Sequence, residues 1–383
     1  LEKYMAENGQ SHKIIDMYYE FLLSESYYRL ESFIYYMERK RKPNKRFYAP
    51  RKKTLHPVMS DLEDLANRKI KFLGLSMPSR TGKSTLCIFF LAWIALRKPD
   101  SCSAMGGHSG VLAKGFYKEL MNLFVTEEYC FEEIYSYWYP NELCIANKSA
   151  EDLTINLHTD SRFSTITCRG IDGTWTGAID ISHDGLLYID DLIRDREHSL
   201  SPTRMENTYQ EMLNKCFDRL QDGAKVLMVG TLWNVNDPIE RMRLTYKDDE
   251  RYTFKKIPAL NDDDESNFNY SFNPFTTEYY HEMRERLDKP EWCAKYQQEP
   301  FVREGLLFEP DELRYFNGIL PDGDGRIVAV VDVALGGGDS LSMPIGKEYE
   351  NGDVYIFDWI FNNGVKEITM PKVVGAIMRN EIR

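Results

Sequence analysis

Residues 72 to 85, FLGLSMPSRTGKST, constrain this chain more than any other stretch. An apolar run of strand character, Lys71 to Ser76, turns through Pro78, Ser79, Arg80 and Thr81 into Gly82-Lys83-Ser84-Thr85, and helix-forming residues follow from Leu86 to Leu96. Bare backbone N–H groups at the start of a helix, a lysine and a hydroxyl placed to reach Mg²⁺ are what a β/γ-phosphate pair requires. The pattern predicts a nucleotide-binding loop in which Pro78 to Thr85 surround the phosphates. A glycine ordinarily stands five residues before Gly82, where this chain has Met77. The strand before the loop and the helix after it separate the motif from a chance GKS/T.

At 383 residues the chain is too long for most single cores, and about 100–200 residues per domain suggests two or three. A hydrophobic content of 43% suffices to bury them. Seven cysteines lie scattered without CxxC or His/Cys ligand spacing, so they read as reduced thiols of a cytosolic protein. No charged-then-apolar leader and no apolar span of roughly 18 residues is present, which argues against secretion and membrane insertion. Leu1 in place of an initiator Met points to residues missing ahead of it. The net charge of −12 speaks against a protein that coats nucleic acid, because phosphate neutralisation needs Lys/Arg surfaces. Yet Glu38 to Lys53, ERKRKPNKRFYAPRKK, carries nine Lys/Arg against one Glu. That run reads as a solvated linker or as a contact to a phosphate backbone.

Along the chain, apolar residues at spacings of three and four between 11 and 40 predict a helical pair or one long helix, and Pro43 sets a boundary near it. From about 54 to 260, short apolar runs (KFLGLS, SCSAMGG, DLTINLH, STITCRG, LLYIDD, KVLMVGT) alternate with helical segments near 111–124 and 201–220. Strands separated by helices imply an α/β fold with a mainly parallel sheet and ligands at the carboxyl ends of its strands. Thr276 to Gln297 reads as a helix. RIVAVVDVA, SLSMPIGKEY and DVYIFDWIF then form three β-like runs, the last two joined by a turn at Glu350-Asn351-Gly352, before a helical Lys366 to Arg383. The segments expected are 1–45, helical; 46–260, a nucleotide-binding domain; 261–325, a linker or lid; and 326–383, the start of a second α/β domain that stops early.

LLYIDDLI ends a buried strand in two carboxylates. At the strand tip both can face the phosphates, Asp190 holding Mg²⁺ through water and Asp191 orienting or deprotonating the attacking water. Motor ATPases more often place Glu second, so Glu197 competes as the base. KVLMVGTLW is another buried strand, and in additional-strand ATPases the hydroxyl at its end contacts the γ-phosphate, which makes Thr231 the candidate; a plain Gly-Thr turn is the bland reading. In TCRGIDGTWTG, Arg169 sits among glycines and could complete a neighbour's site as an arginine finger worth about 10³–10⁵ in rate, with Arg162 and Arg80 competing. DVALGGGDS follows the strand IVAVV and offers Asp332 as a first ligand of a two-metal nuclease site for Mg²⁺ or Mn²⁺. Asp353 and Asp358 read as strand-end caps.

Taken in order, PSRTGKS, RGIDGTWTG, YIDDLIRDREHS, MVGTLWNVNDPIERM, YQQEPFVREGLLFEP and VVDVALGGGDS resemble the large terminase subunit of tailed bacteriophages, over roughly residues 46 to 383. The resemblance implies a P-loop motor of the additional-strand (ASCE) class, preceded by helices and followed by a ribonuclease H-like nuclease that is truncated here. It implies ATP and Mg²⁺ as cofactors, with Lys83 and Ser84 on phosphate and metal, Asp190 and Asp191 as the acid pair, Thr231 as the coupling residue and Asp332 as the first nuclease ligand. It also implies double-stranded DNA, a portal protein and a small terminase subunit as partners, and a homo-oligomeric ring on a procapsid in the host cytoplasm. Two departures stand out: Asp replaces Glu at the second acid, and the later nuclease carboxylates would lie beyond Arg383, so this chain by itself is not expected to cut DNA. A stand-alone nuclease or transposase-like protein with a regulatory phosphate loop, and a DNA helicase on the same core, are the competing readings.

Overall fold

A strand that is apolar on both faces needs neighbours on both edges and helices above and below. The FLGLS run meets that condition as β1 (Phe72–Ser76), buried along its whole length. The computed structural model describes residues 12–300, 314–332, 340–362 and 366–382. Contacts group the chain into two units, Leu1–Arg303 and Glu304–Arg383.

In the first unit β1 joins β2 (Ser103–Gly107), β3 (Ile145–Ser149), β4 (Thr154–Leu157), β5 (Ile166–Gly170), β6 (Leu186–Asp190), β7 (Lys225–Gly230) and β8 (Tyr252–Lys256) in one sheet of order β3-β4-β5-β2-β6-β7-β1-β8. Neighbours from β5 to β8 run parallel; β4 runs antiparallel to both β3 and β5. β7 therefore stands between the phosphate-loop strand β1 and the acid strand β6, the additional-strand arrangement expected from the sequence. Apolar runs had marked β1, β2 and β4 to β7. The edge strands β3 and β8 are only half-buried and lack the continuous apolar run that announces a central strand.

The helices are α1 (His12–Glu25), α2 (Leu30–Met37), α3 (Lys52–Ala66), α4 (Lys83–Arg97), α5 (Gly110–Val125), α6 (Phe131–Trp138), α7 (Arg196–Leu200), α8 (Pro202–Glu211), α9 (Pro238–Thr245), α10 (Thr277–Arg286) and α11 (Lys289–Lys295). Right-handed crossovers put helices that advance in opposite directions along a sheet on opposite faces. Accordingly α4, on the way from β1 to β2, packs with α2, α3, α5 and α6 on one face, whereas Tyr209 of α8 and Ile239 and Met242 of α9 fill the other with Trp175. Trp93 of α4 donates its indole N–H to Ser26 O at 2.7 Å, so the N-terminal helices share the core of the sheet.

The basic run 38–53 is folded, contrary to the linker reading. Glu38 is buried and accepts Phe47 N and Tyr48 N at 2.7 and 3.1 Å. Arg46 donates to the carbonyls of Arg41 and Arg39, both at 3.1 Å. Segment 276–297 is two helices rather than one: Asp288 caps α11 through Glu291 N, and Pro290 occupies its first turn, where proline suits a helix start and not a helix interior. Likewise the helix read at 201–220 ends at Glu211 and continues as a π turn over Met212–Cys216.

The second unit holds β9 (Gly325–Ala329), β10 (Leu341–Tyr349) and β11 (Val354–Asn362), antiparallel in the order β11-β10-β9, and α12 (Lys366–Arg379). Its core sets Leu341, Met343 and Ile345 against Val373 and Ala376. The turn between β10 and β11 closes with Gly352 at φ +87° and Asp353 N donating to Asn351 Oδ1 at 3.0 Å. No helix among the described residues is long and apolar enough to cross a membrane.

Candidate active site

At the carboxyl end of β1 the backbone turns through Arg80, at φ +68°, and Gly82, at φ +106°, before α4 begins at Lys83. Gly82 is required twice over. Its φ lies where side chains strain, and a Cβ there would come within 2.8 Å of Phe47 Cε2. Thr81 braces the loop by donating its hydroxyl to Pro78 O at 2.8 Å. Met77, in the place of the usual glycine, has no positive φ; its N–H donates to Gly230 O at 3.2 Å and its side chain is fully buried. The loop therefore turns on Arg80 and Gly82, and no glycine is needed at 77. Ser79 and Arg80 are exposed, and Ser84 and Thr85 open the first turn of α4.

Because β7 lies beside β1, Thr231 at its end reaches the loop. The Thr231 hydroxyl accepts from Lys83 Nζ at 2.9 Å, donates to Met77 O at 3.2 Å and lies 3.2 Å from Ser79 Oγ. Asp191, one strand further on, places Oδ2 at 3.5 Å from Lys83 Nζ and accepts Thr231 N on Oδ1 at 3.0 Å. Its backbone is left-handed, φ +42°, and is held by Asp191 N donating to Val229 O at 2.9 Å and by His108 Nδ1–H donating to Asp191 O at 3.0 Å. Asp190 is buried beneath it and accepts the Tyr188 hydroxyl. Burial pushes the Asp190 carboxyl well above the usual carboxylate range and Asp191 adds to that push, while Lys83 and hydrogen bonds from Tyr188 and Ser84 oppose it.

Two carboxylates here face one ammonium, and the buried one is held up in pKa by lack of solvent and by its neighbour. A divalent cation beside Ser84 and Asp190 would relieve both penalties, so these residues fit Mg²⁺. That ion is typically held by one or two carboxylates with substrate phosphates rather than by a protein cage, and among the described residues no group of three His, Cys, Asp or Glu forms such a cage.

Among the described residues, none of the other candidates in the first unit makes a hydrogen bond with Lys83, Thr231, Asp190 or Asp191. Arg169 is on β5, four strand spacings or about 19 Å from β1, and donates to Thr174 O and Asp152 O at 3.1 and 3.4 Å. It does not reach its own phosphate loop. Arg162 is exposed and stacks 5.0 Å from the Phe163 ring centroid; Arg80 is in the loop itself. Glu197 is exposed on α7. Asp332 belongs to the second unit, where its backbone pairs with Ser342 through bonds of 2.8 and 3.0 Å; residues 333–339, with Asp339, lie outside the described residues.

Several residues of the site had no mark in the sequence reading. Tyr188 could have been found, since period two puts it on the face of Asp190. His108, at the tip of β2, becomes relevant only because β2 pairs with β6. Arg51, from the basic run, lies between the rings of Phe47 and Tyr270 at 5.0 and 4.8 Å beside Gly82, and Tyr270 donates its hydroxyl to Thr81 O at 2.9 Å. Asp237 caps α9 by accepting Ile239 N at 3.1 Å. Burial, with Asp191 facing it, raises its pKa to about 7.

No protein-family model matches the chain, and no curated protein matches it by sequence. Among solved structures it is similar to the large terminase of bacteriophage HK97, at 13% identity and TM-score 0.45 over 84% of this chain and 67% of that one. It is similar also to the large terminase of a thermophilic bacteriophage in complex with ADP, at 12% and 0.36 over 84% and 74%. A third similar structure is the large terminase ATPase domain of Thermus phage P74-26, at 11% and 0.38 over 60% and 88%.

Proposed function

We propose that this chain is an ATP-hydrolysing motor subunit of the large-terminase kind, driving double-stranded DNA into a procapsid. The observation that carries the ATPase reading is the junction of Lys83, Thr231 and Asp191 at the ends of three adjacent strands. The loop N–H groups of residues 79–84 and the Lys83 ammonium take the triphosphate. Ser84, and Asp190 through water, would hold Mg²⁺, which when bound supplies charge neutralisation at the β- and γ-phosphates. Asp191 accepts a proton from the attacking water as its oxygen bonds to the γ-phosphorus and the bond to the ADP oxygen breaks. The Lys83 ammonium carries three N–H donors, so a γ-phosphate displaces the more distant Asp191 carboxylate, at 3.5 Å, and frees it to act as base, while the Thr231 hydroxyl at 2.9 Å keeps Lys83 in place.

The DNA and assembly parts of the reading rest on the ordered motifs of the sequence. They bring a ring of copies with portal protein and small terminase subunit, host cytoplasm as the place of action, Arg169 as a finger acting on a neighbouring copy, and Asp332 as first ligand of a ribonuclease H-like nuclease. The deciding experiment is ATP turnover with and without duplex DNA, in the wild type and in Lys83→Ala. Turnover is expected to rise with DNA and to vanish in a variant whose circular dichroism is unchanged. Wild-type turnover by folded Lys83→Ala would sink the ATPase assignment, and indifference to DNA would favour a regulatory phosphate loop.

A further inference from the structure

Two consecutive peptide N–H groups leave the end of β7, and a side chain takes each. Asp191 Oδ1 accepts from Thr231 N at 3.0 Å, and Gln298 Oε1 accepts from Leu232 N at 3.2 Å. Both acceptors belong to residues with left-handed backbones, φ +42° and +58°, a region that non-glycine residues keep only where their surroundings hold them. Asp191 has its role in the acid pair. Gln298 comes from the YQQEP segment, is fully buried and spends its side-chain hydrogen bonds on Leu232 and Lys295 rather than on the phosphate loop. Its amide nitrogen donates to Lys295 O, at the end of α11, at 2.5 Å. The same helix is tied to the segment after the acid pair, since Arg196 of α7 meets Asp288 at 3.3 Å and Glu291 at 3.0 Å. Lys295 Nζ lies 4.9 Å from the Trp233 ring centroid, two residues past Thr231.

We propose that Gln298 is a positioning residue for ATP hydrolysis: its carboxamide sets the Thr231–Leu232 peptide so that the Thr231 hydroxyl meets Lys83, and it carries displacement of that peptide into α11. The inference rests on the ATPase reading. Three features support it. Leu232 is buried, so its N–H without Gln298 would be an orphaned donor. An amide, unlike a carboxylate or a hydrocarbon, can accept from Leu232 and donate to Lys295 at once. And the adjacent Gln297 makes the same kind of clamp elsewhere, accepting Leu260 N at 3.1 Å and donating to Leu260 O at 3.3 Å, which furnishes a control of matched chemistry away from the site.

The test compares Gln298→Met with Gln297→Met in the full chain. Gln298→Met is expected to lower kcat by about three- to tenfold, the worth of one neutral hydrogen bond, with KM changed less than about twofold. Gln297→Met should lower thermal stability with kcat unchanged. In the wild type, ATPγS should alter hydrogen exchange across residues 287–297, and that response should be lost in Gln298→Met. An unchanged kcat in Gln298→Met, or an equal fall in Gln297→Met, would overturn the proposal. If Gln298→Met does not fold, wild-type exchange decides alone: no nucleotide-dependent change across 287–297 overturns it. Hydrolysis with a silent α11 defeats only this inference, whereas a chain that binds no nucleotide defeats the ATPase reading as well.

Discussion

Replacing Thr231 with valine keeps the volume of a buried side chain and removes one oxygen. That oxygen accepts from Lys83 Nζ at 2.9 Å and donates to Met77 O at 3.2 Å. Lys83 is itself buried, and its remaining partner in the site is Asp191 at 3.5 Å. A hydrogen bond to a charged group contributes about 1.5–3 kcal/mol. At about 1.4 kcal/mol per factor of ten, Thr231→Val should lower kcat/KM for ATP by roughly 10- to 150-fold. Thr231→Ser keeps the oxygen and should stay within about fourfold of wild type, a bound set by losing one methyl group rather than the bond. Steady-state phosphate release over a range of ATP concentrations measures both, with melting curves to show that each variant is folded. The reasoning fails if folded Thr231→Val retains wild-type kcat/KM, or if the serine variant is as impaired as the valine one, since the hydroxyl would then have no part in holding Lys83.

Asp191→Asn should bind nucleotide and lose hydrolysis, because an amide cannot take the water's proton, while the exposed Glu197→Gln turns over normally; the opposite result would move the base to α7. Mixing Arg169→Ala with Lys83→Ala protein should restore some ATPase activity, because Arg169 is too far from its own phosphate loop to serve it; a dead Arg169→Ala that no partner rescues would assign that arginine a structural role. Asp237 titrates near 7 when folded and near 3.8 when not, so between about pH 4 and 7 the unfolded chain gives up the proton first and wild-type stability falls as pH rises. Asp237→Asn keeps the helix cap and removes the titration. Its melting-temperature advantage should therefore grow from pH 5 to pH 8, and a constant difference across that range would refute the assignment.

The phosphate loop, the acid pair and the end of β7 were legible one-dimensionally because each is a local device: an apolar run long enough to be a buried strand, followed at once by the residues it must present. The strands that these runs form are central ones, so burial on both faces wrote itself into the composition. What local patterning could not supply is adjacency, which was implied only by the resemblance to additional-strand motors. Nothing local says that β7 lies between β1 and β6, yet that order alone brings the Thr231 hydroxyl to Lys83 and the Asp191 carboxylate to the Thr231 amide. The same holds for His108, which meets Asp191 because β2 pairs with β6, and for Arg51 and Tyr270, which converge on Gly82 and Thr81 from segments read as a solvated linker and as a linker or lid. Edge strands β3 and β8 escaped for the complementary reason, since half-buried segments carry weak hydrophobic periodicity, whereas the break at Asp288 had a local signal, a capping Asp followed by Pro290, that helical periodicity on both sides masked. Local chemistry determined which residues could serve a nucleotide; the order of the sheet, a long-range consequence of crossover handedness and core burial, decided which of them meet.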